Sequence, residues 1–115
     1  MSFIKSRINS FKYAANGLKL SFNRDIHIKL HYISAIIALI MSWLFDVSKI
    51  ELCIVLICIG IVISLEITNS CLEQLCDFIE PNQNSKIKSI KDMAAGAVLI
   101  FSIITFIIGI IIFIE

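Results

Sequence analysis

Apolar residues along this chain fall into three long blocks separated by short polar stretches. The first covers residues 32–45, bounded by Lys29 and His31 before it and Asp46 after it, with Ile26, Ile28 and Leu30 able to extend a tilted helix. The second covers residues 52–65 and continues in helical period through Ile67, Leu72, Leu75 and Phe78, interrupted by Glu66, Asn69 and Glu73. The third, residues 93–114, is uncharged throughout and alone meets the ~20 residues that cross a bilayer core. Bilayers admit helices or closed barrels, and the blocks lack the two-residue alternation of barrel strands. Transmembrane helices are therefore predicted over about 28–45, 50–78 and 92–114, the second with a polar extension. Pro81-Asn82-Gln83-Asn84-Ser85 is a turn-rich break, and Pro81 marks the end of the second helix.

Ahead of these blocks, Ile4, Ile8, Phe11, Ala15, Leu18 and Phe22 recur at steps of three and four, which places them on one helical stripe. Lys5, Arg7, Lys12, Lys19 and Arg24 lie largely beside or opposite that stripe. The segment does not read as a secretory signal, because no apolar core follows a compact basic start. It reads as a basic amphipathic helix over residues 1–25, lying in the membrane interface.

Composition agrees. Of 115 residues, 58% are apolar and 17% charged, and the mean hydropathy is +0.93. Such a chain cannot cover itself with polar side chains, so a soluble domain is excluded, as are disorder and a disulfide-rich secreted scaffold. The expectation is an all-α integral membrane protein of one domain, residues 1–115, with three transmembrane helices preceded by an N-terminal amphipathic surface helix.

Charge adds a direction. Six of the ten Lys and Arg precede the first span, Lys49 alone lies in the first loop, and Lys86, Lys88 and Lys91 lie in the second. The positive-inside rule puts the N-terminus and second loop in the cytoplasm, with the first loop and Glu115 outside. Most polar groups then gather at the cytoplasmic face, where ATP is.

The chemistry is concentrated in one stretch. At roughly 100° per residue, Glu66, Asn69, Glu73 and Asp77 fall within an arc of about 80°. Carboxylates within a span are costly and by default face a bundle interior and carry function, Glu66 above all. Lys91 and Asp92 open the third block near the expected depth of Glu73, although a snorkelling anchor and a helix-dipole partner are their plainer readings. Asp25, at the end of the basic helix, is a third candidate at this face. Carboxylates with a lysine at a lipid–water boundary suit Mg²⁺-phosphate binding, and a desolvated carboxylate suits a general base toward a hydroxyl. Phosphoryl transfer rests on positioning and charge neutralisation, which a small helical protein can supply. Neither the G-x-x-x-x-G-K-[ST] loop nor an H-R-D or D-F-G set occurs.

Other features carry less. Cys53, Cys58, Cys71 and Cys76 form no C-x-x-C and read as packing residues. His27 and His31, four apart, lack a third ligand of suitable spacing and read as interface residues. Ala94-Ala95-Gly96-Ala97 and the Thr105/Gly109 spacing permit close helix approach in a bundle or oligomer. Trp43 reads as an aromatic-belt anchor at the outer end of the first span. No nucleic-acid partner is expected.

Two motifs carry a resemblance. Glu66, Asn69, Ser70, Glu73 and Asp77 match an E-x-x-N-[ST]-x-x-E-x-x-x-D pattern, and Lys91-Asp92 precedes the small-residue run Met93-Ala94-Ala95-Gly96-Ala97. On these the chain resembles the prokaryotic diacylglycerol kinase family, small membrane lipid kinases, from about Phe11 to Phe113. The resemblance implies ATP-dependent phosphorylation of a lipid alcohol, diacylglycerol or undecaprenol, with Mg²⁺ as cofactor. It implies Glu66 as general base and Glu73 and Asp25 as Mg²⁺ ligands. It implies Lys91, Asp92 and Tyr13 as nucleotide contacts, Asn69 and Asp77 as supporting residues, and a homotrimer in the bacterial inner membrane. The family usually carries Glu where Asp25 stands and Asn at His27, and its loop before the third helix usually reads like S-x-E-Y-H. The alanine-glycine run is similar to the undecaprenol-using branch. The competing expectation from another class is a proton- or cation-coupled transport subunit exchanging at Glu66, and a third is a purely structural membrane subunit.

Overall fold

A computed structural model describes residues 2–114 as four helices, α1 (Ser2–Arg24), α2 (Ile26–Leu44), α3 (Lys49–Ile79) and α4 (Ser85–Phe113), with no strand among the described residues. Glu115, expected on the outer side, lies outside them. Each helix end has a local cause. Asp25 is the one non-helical residue between α1 and α2, and its side chain accepts from the His27 N–H at 2.9 Å, the bond of an N-cap. After α2, Asp46 turns the chain in the left-handed region at φ 52°, which Asp tolerates through local side-chain hydrogen bonding. Ser48 and Glu51 then form a reciprocal capping box that starts α3. Glu80 ends α3 directly before Pro81, as the sequence predicts.

Asn84 starts α4 by accepting from the Lys86 and Ile87 N–H groups. The helix therefore begins seven residues ahead of the predicted position 92. Hydropathy marks where a span enters lipid, whereas a capped helix runs on through charged residues in water. Asp92 consequently sits well inside α4 and is no partner for its dipole. It pairs with Lys88 one turn back, at 2.6 Å.

α2, α3 and α4 are each long and apolar enough to cross a membrane. α3 is central and packs on both α2 and α4. Its 31 residues make a rod of about 46 Å, well beyond a ~30 Å hydrocarbon core, so the surplus carries its polar residues toward water. The buried face of α3 runs through Val55, Cys58, Val62, Glu66, Asn69, Ser70 and Cys76. One stripe is thus apolar core at one end of the bundle and polar at the other. At the apolar end, Phe45 meets Phe113 edge to face, ring centroids 5.5 Å apart, and ties α2 to α4.

α1 buries no residue, and its stripe residues Ile4, Ile8, Phe11, Leu18 and Phe22 all stay exposed. It contacts the bundle near its C-terminal end, where Phe22 packs edge-on against Tyr32 at 5.5 Å and Lys29 lies over the Phe22 ring. The molecule measures 49 × 48 × 21 Å. A three-helix bundle accounts for one long axis; α1, projecting sideways, supplies the other.

Two packing expectations change. A Cβ added at Gly96 or Gly109 would meet nothing within 4 Å, so these positions do not mediate helix approach within the chain. Of the cysteines, Cys58 and Cys76 are buried in the core while Cys53 and Cys71 face outward, so only the first two pack inside.

Candidate active site

The polar half of the α3 stripe opens into a cavity of about 540 Å³ closed on three sides. The α1–α2 junction contributes Arg24, Asp25 and His27; α3 contributes Glu66, Asn69, Ser70 and Glu73; α4 contributes Ala95, Val98, Leu99 and Ser102. Asp25 reaches it because a single capping residue joins the two helices. The α4 residues reach it at helical steps of three, one and three, so one face of α4 forms the wall.

Glu66 and Asn69 are buried, 7% and 8% exposed, although both are polar and lie in a span. Asn69 Nδ2 donates to Glu73 Oε1 at 3.1 Å, which fixes Glu73 one turn beyond it. The Asn69 Oδ1 oxygen is buried with no hydrogen-bond partner. A buried acceptor left unpaired costs about 1–3 kcal/mol. His31, on α2, brings its Nε2 to 3.6 Å from Glu66 Oε2.

The remaining expected residues lie elsewhere. Asp77, Lys91 and Asp92 line a neighbouring groove of about 750 Å³ with the loop residues Pro81, Asn82, Gln83 and Asn84. Lys91 Nζ donates to Asp77 Oδ1 at 2.7 Å and bridges α3 to α4, one turn further along the seam than Glu73. Tyr13 lies in neither cavity. It is exposed and sits about 180° around α1 from the apolar stripe, on the side away from any membrane that stripe meets. The structure thus brings Asp25, Glu66, Asn69 and Glu73 together, sets Asp77, Lys91 and Asp92 beside them, and leaves Tyr13 apart.

Three residues of the cavity region were not singled out by sequence reasoning. His27 and His31, expected to be interface residues, belong here, His27 on the cavity wall and His31 against Glu66. Their spacing shows only that they share a face of α2; which helix that face meets depends on how α2 and α3 pair. Ser102 had a legible signal, as a hydroxyl seven residues after Ala95 inside an uncharged run.

The donor set fits Mg²⁺. Asp25 and Glu73 line the same cavity, and each spends one oxygen on a protein hydrogen bond and keeps the other. Among the described residues no group of three or more His, Cys, Asp or Glu could hold a metal by itself.

Fold and site together define a small α-helical membrane enzyme whose acid-lined cavity lies at one end of a three-helix bundle. Known proteins give the same answer in more detail. The profile of the prokaryotic diacylglycerol kinase family matches residues 12–113. An undecaprenol kinase of Bacillus subtilis is 35% identical over 106 residues, covering 92% of this chain and 86% of that protein. A diacylglycerol kinase of Haemophilus influenzae is 29% identical, covering 81% of this chain and 79% of its own length. One from Synechocystis is 28% identical, covering 87% of this chain and 58% of its own length. The chain belongs to the prokaryotic diacylglycerol kinase family, and it is a membrane lipid kinase, a phosphotransferase with an alcohol as acceptor.

Proposed function

We propose that this protein transfers the γ-phosphate of ATP to the hydroxyl of a membrane lipid alcohol, undecaprenol first and diacylglycerol as the competing acceptor. The observation that carries the reading is the Glu66 carboxylate, buried in the cavity that Asp25, Asn69 and Glu73 also line. The order of the lipids rests on the higher identity to a protein named undecaprenol kinase.

In this reading Glu66 takes the proton from the lipid hydroxyl as its oxygen attacks the terminal phosphorus. Asn69 holds Glu73 in place through its amide, and Asp25 and Glu73 hold the Mg²⁺ that neutralises charge on the phosphates. The adjoining groove, with Lys91 and Asp92, receives the nucleotide, and Asp77 steers the Lys91 ammonium. The N-terminus and both cavities face the cytoplasm, α1 lies on the membrane, and three chains assemble as a homotrimer in the bacterial inner membrane.

The test is transfer of labelled γ-phosphate in mixed micelles, with undecaprenol and diacylglycerol run side by side. Mg²⁺-dependent labelling of undecaprenol is expected, and Glu66→Gln is expected to lower kcat by roughly 10²–10⁴-fold. Wild-type protein that labels neither lipid would overturn the proposal; labelling of diacylglycerol alone would reverse the order of substrates.

A further inference from the structure

A general base buried in a membrane bundle meets two problems. It must keep one orientation, and it must lose the proton it has gained before the next turnover. Water could do both at a surface, but the Glu66 side chain is only 9% exposed. The other protein groups at the cavity do not solve the problem: Asn69 donates to Glu73, and Asp25 accepts from the His27 backbone. Ser70 and Ser102 are weak proton carriers.

His31 is placed to do so. Its Nε2 stands 3.6 Å from Glu66 Oε2, a charge-pair distance slightly longer than a hydrogen bond, and its side chain is 25% exposed, between the base and its surroundings. Catalytic hydrogen bonds that are long in a free enzyme commonly tighten when substrate binds. Imidazole is the side chain that takes up and releases a proton near neutral pH. His31 lies two turns into α2, on a helix whose N-terminus is fixed by the Asp25 cap, so the ring is carried by rigid backbone.

We infer that His31 is the positioning residue of Glu66: with its proton on Nδ1, the ring receives at Nε2 the proton that Glu66 takes from the lipid hydroxyl, and the imidazolium so formed holds the restored carboxylate in place. The inference rests on the proposed role of Glu66 as base. The step balances. The alcohol O–H breaks and an O–H forms on Glu66, while the alcohol oxygen bonds to the terminal phosphorus and ADP leaves with the electron pair of the broken P–O bond. Glu66 then passes the proton to the neutral Nε2 of His31, restoring its own carboxylate, and the imidazolium releases the proton to water.

Several other groups face this pair. Arg24 of α1, Asp25 and His27 at the start of α2, and Cys58 and Glu73 of α3 line the same or the adjoining cavity. α4 contributes only alanine, valine, leucine, serine, threonine and phenylalanine side chains to this cavity and to the mostly apolar one of about 260 Å³ beside it, which His31 and Cys58 line. His31 is the group measured against Glu66 at charge-pair distance.

The experiment is the pH dependence of kcat for wild type, His31→Gln, His31→Leu and Glu66→Gln in mixed micelles with the lipid that wild type phosphorylates. Gln keeps a donor near the carboxylate but cannot carry the proton; Leu removes both functions. Wild-type kcat is expected to fall toward acid pH, because a ring that already carries a proton on Nε2 cannot receive another. His31→Gln is expected to shift that limb, which Glu66 alone then sets, and to lower kcat while KM for ATP and lipid stay unchanged. His31→Leu is expected to lower kcat further, by roughly 10–100-fold in total, the scale of a misplaced reacting group. Wild-type kcat and an unaltered acid limb in His31→Gln, with Glu66→Gln inactive, would overturn the inference and leave the base intact. A fully active Glu66→Gln would overturn the base itself and this inference with it. Should His31→Leu not insert or fold, the His31→Gln profile decides.

Discussion

Asp25 caps a helix and lines the cavity with one carboxylate. One oxygen caps α2 through the His27 N–H, and the side chain lines the cavity that also holds Glu66 and Glu73. Substitutions separate the two. Asn is as good an N-cap as Asp but carries no charge, so Asp25→Asn should leave thermal stability unchanged and raise the Mg²⁺ concentration needed for half-maximal activity. Asp25→Ala removes both and should also lower stability by about 1 kcal/mol, read as a drop in the melting temperature. Glu66 was legible from sequence because a carboxylate after a long uncharged run has few structural reasons to exist. His31 was not, because its partner lies on another helix and nothing within α2 reports it.

Helices are where sequence spoke most plainly, and their ends are where it spoke least. The three spans follow from apolar length, but Asn84 begins α4 in a stretch that hydropathy leaves as loop. The consequence is that Lys91 sits on helix, held to Asp77 across the α3–α4 pair at 2.7 Å. Both ends of that bridge are solvent-accessible, so it adds little to stability. Asp77→Asn should therefore leave the melting temperature unchanged and affect ATP binding modestly. Lys91→Met should raise KM for ATP roughly tenfold, the loss of one charged contact to phosphate. For α1, spin labels at Ile8 and Ser6, about 160° apart on the helix, should report opposite environments. Lipid-soluble oxygen should broaden the first, and an aqueous relaxant the second. Equal accessibility at both would remove α1 from the membrane surface.

At the scale of the whole molecule, the bundle buries little and leaves much apolar surface outward, as a chain dissolved in lipid does. Gly96 and Gly109 stand open within one chain, where an added Cβ would meet nothing within 4 Å. In mild detergent the protein should run at three times its chain mass of 12.9 kDa, measured by light scattering. Gly109→Leu should lower that mass without loss of helicity, because its added side chain meets nothing within the chain. Assembly was outside the reach of periodicity: a small-residue face reads alike whether it meets a neighbouring helix or a second subunit.

The single-residue joint between α1 and α2 also makes a lever. With 23 residues, α1 is an arm of about 34 Å pivoting at Asp25. A swing of about 10° carries its free tip roughly 6 Å, while a point one residue from the pivot moves only about 0.3 Å. An arm joined to the bundle at that one residue would let its tip follow an undulating bilayer and leave the Asp25 carboxylate almost still.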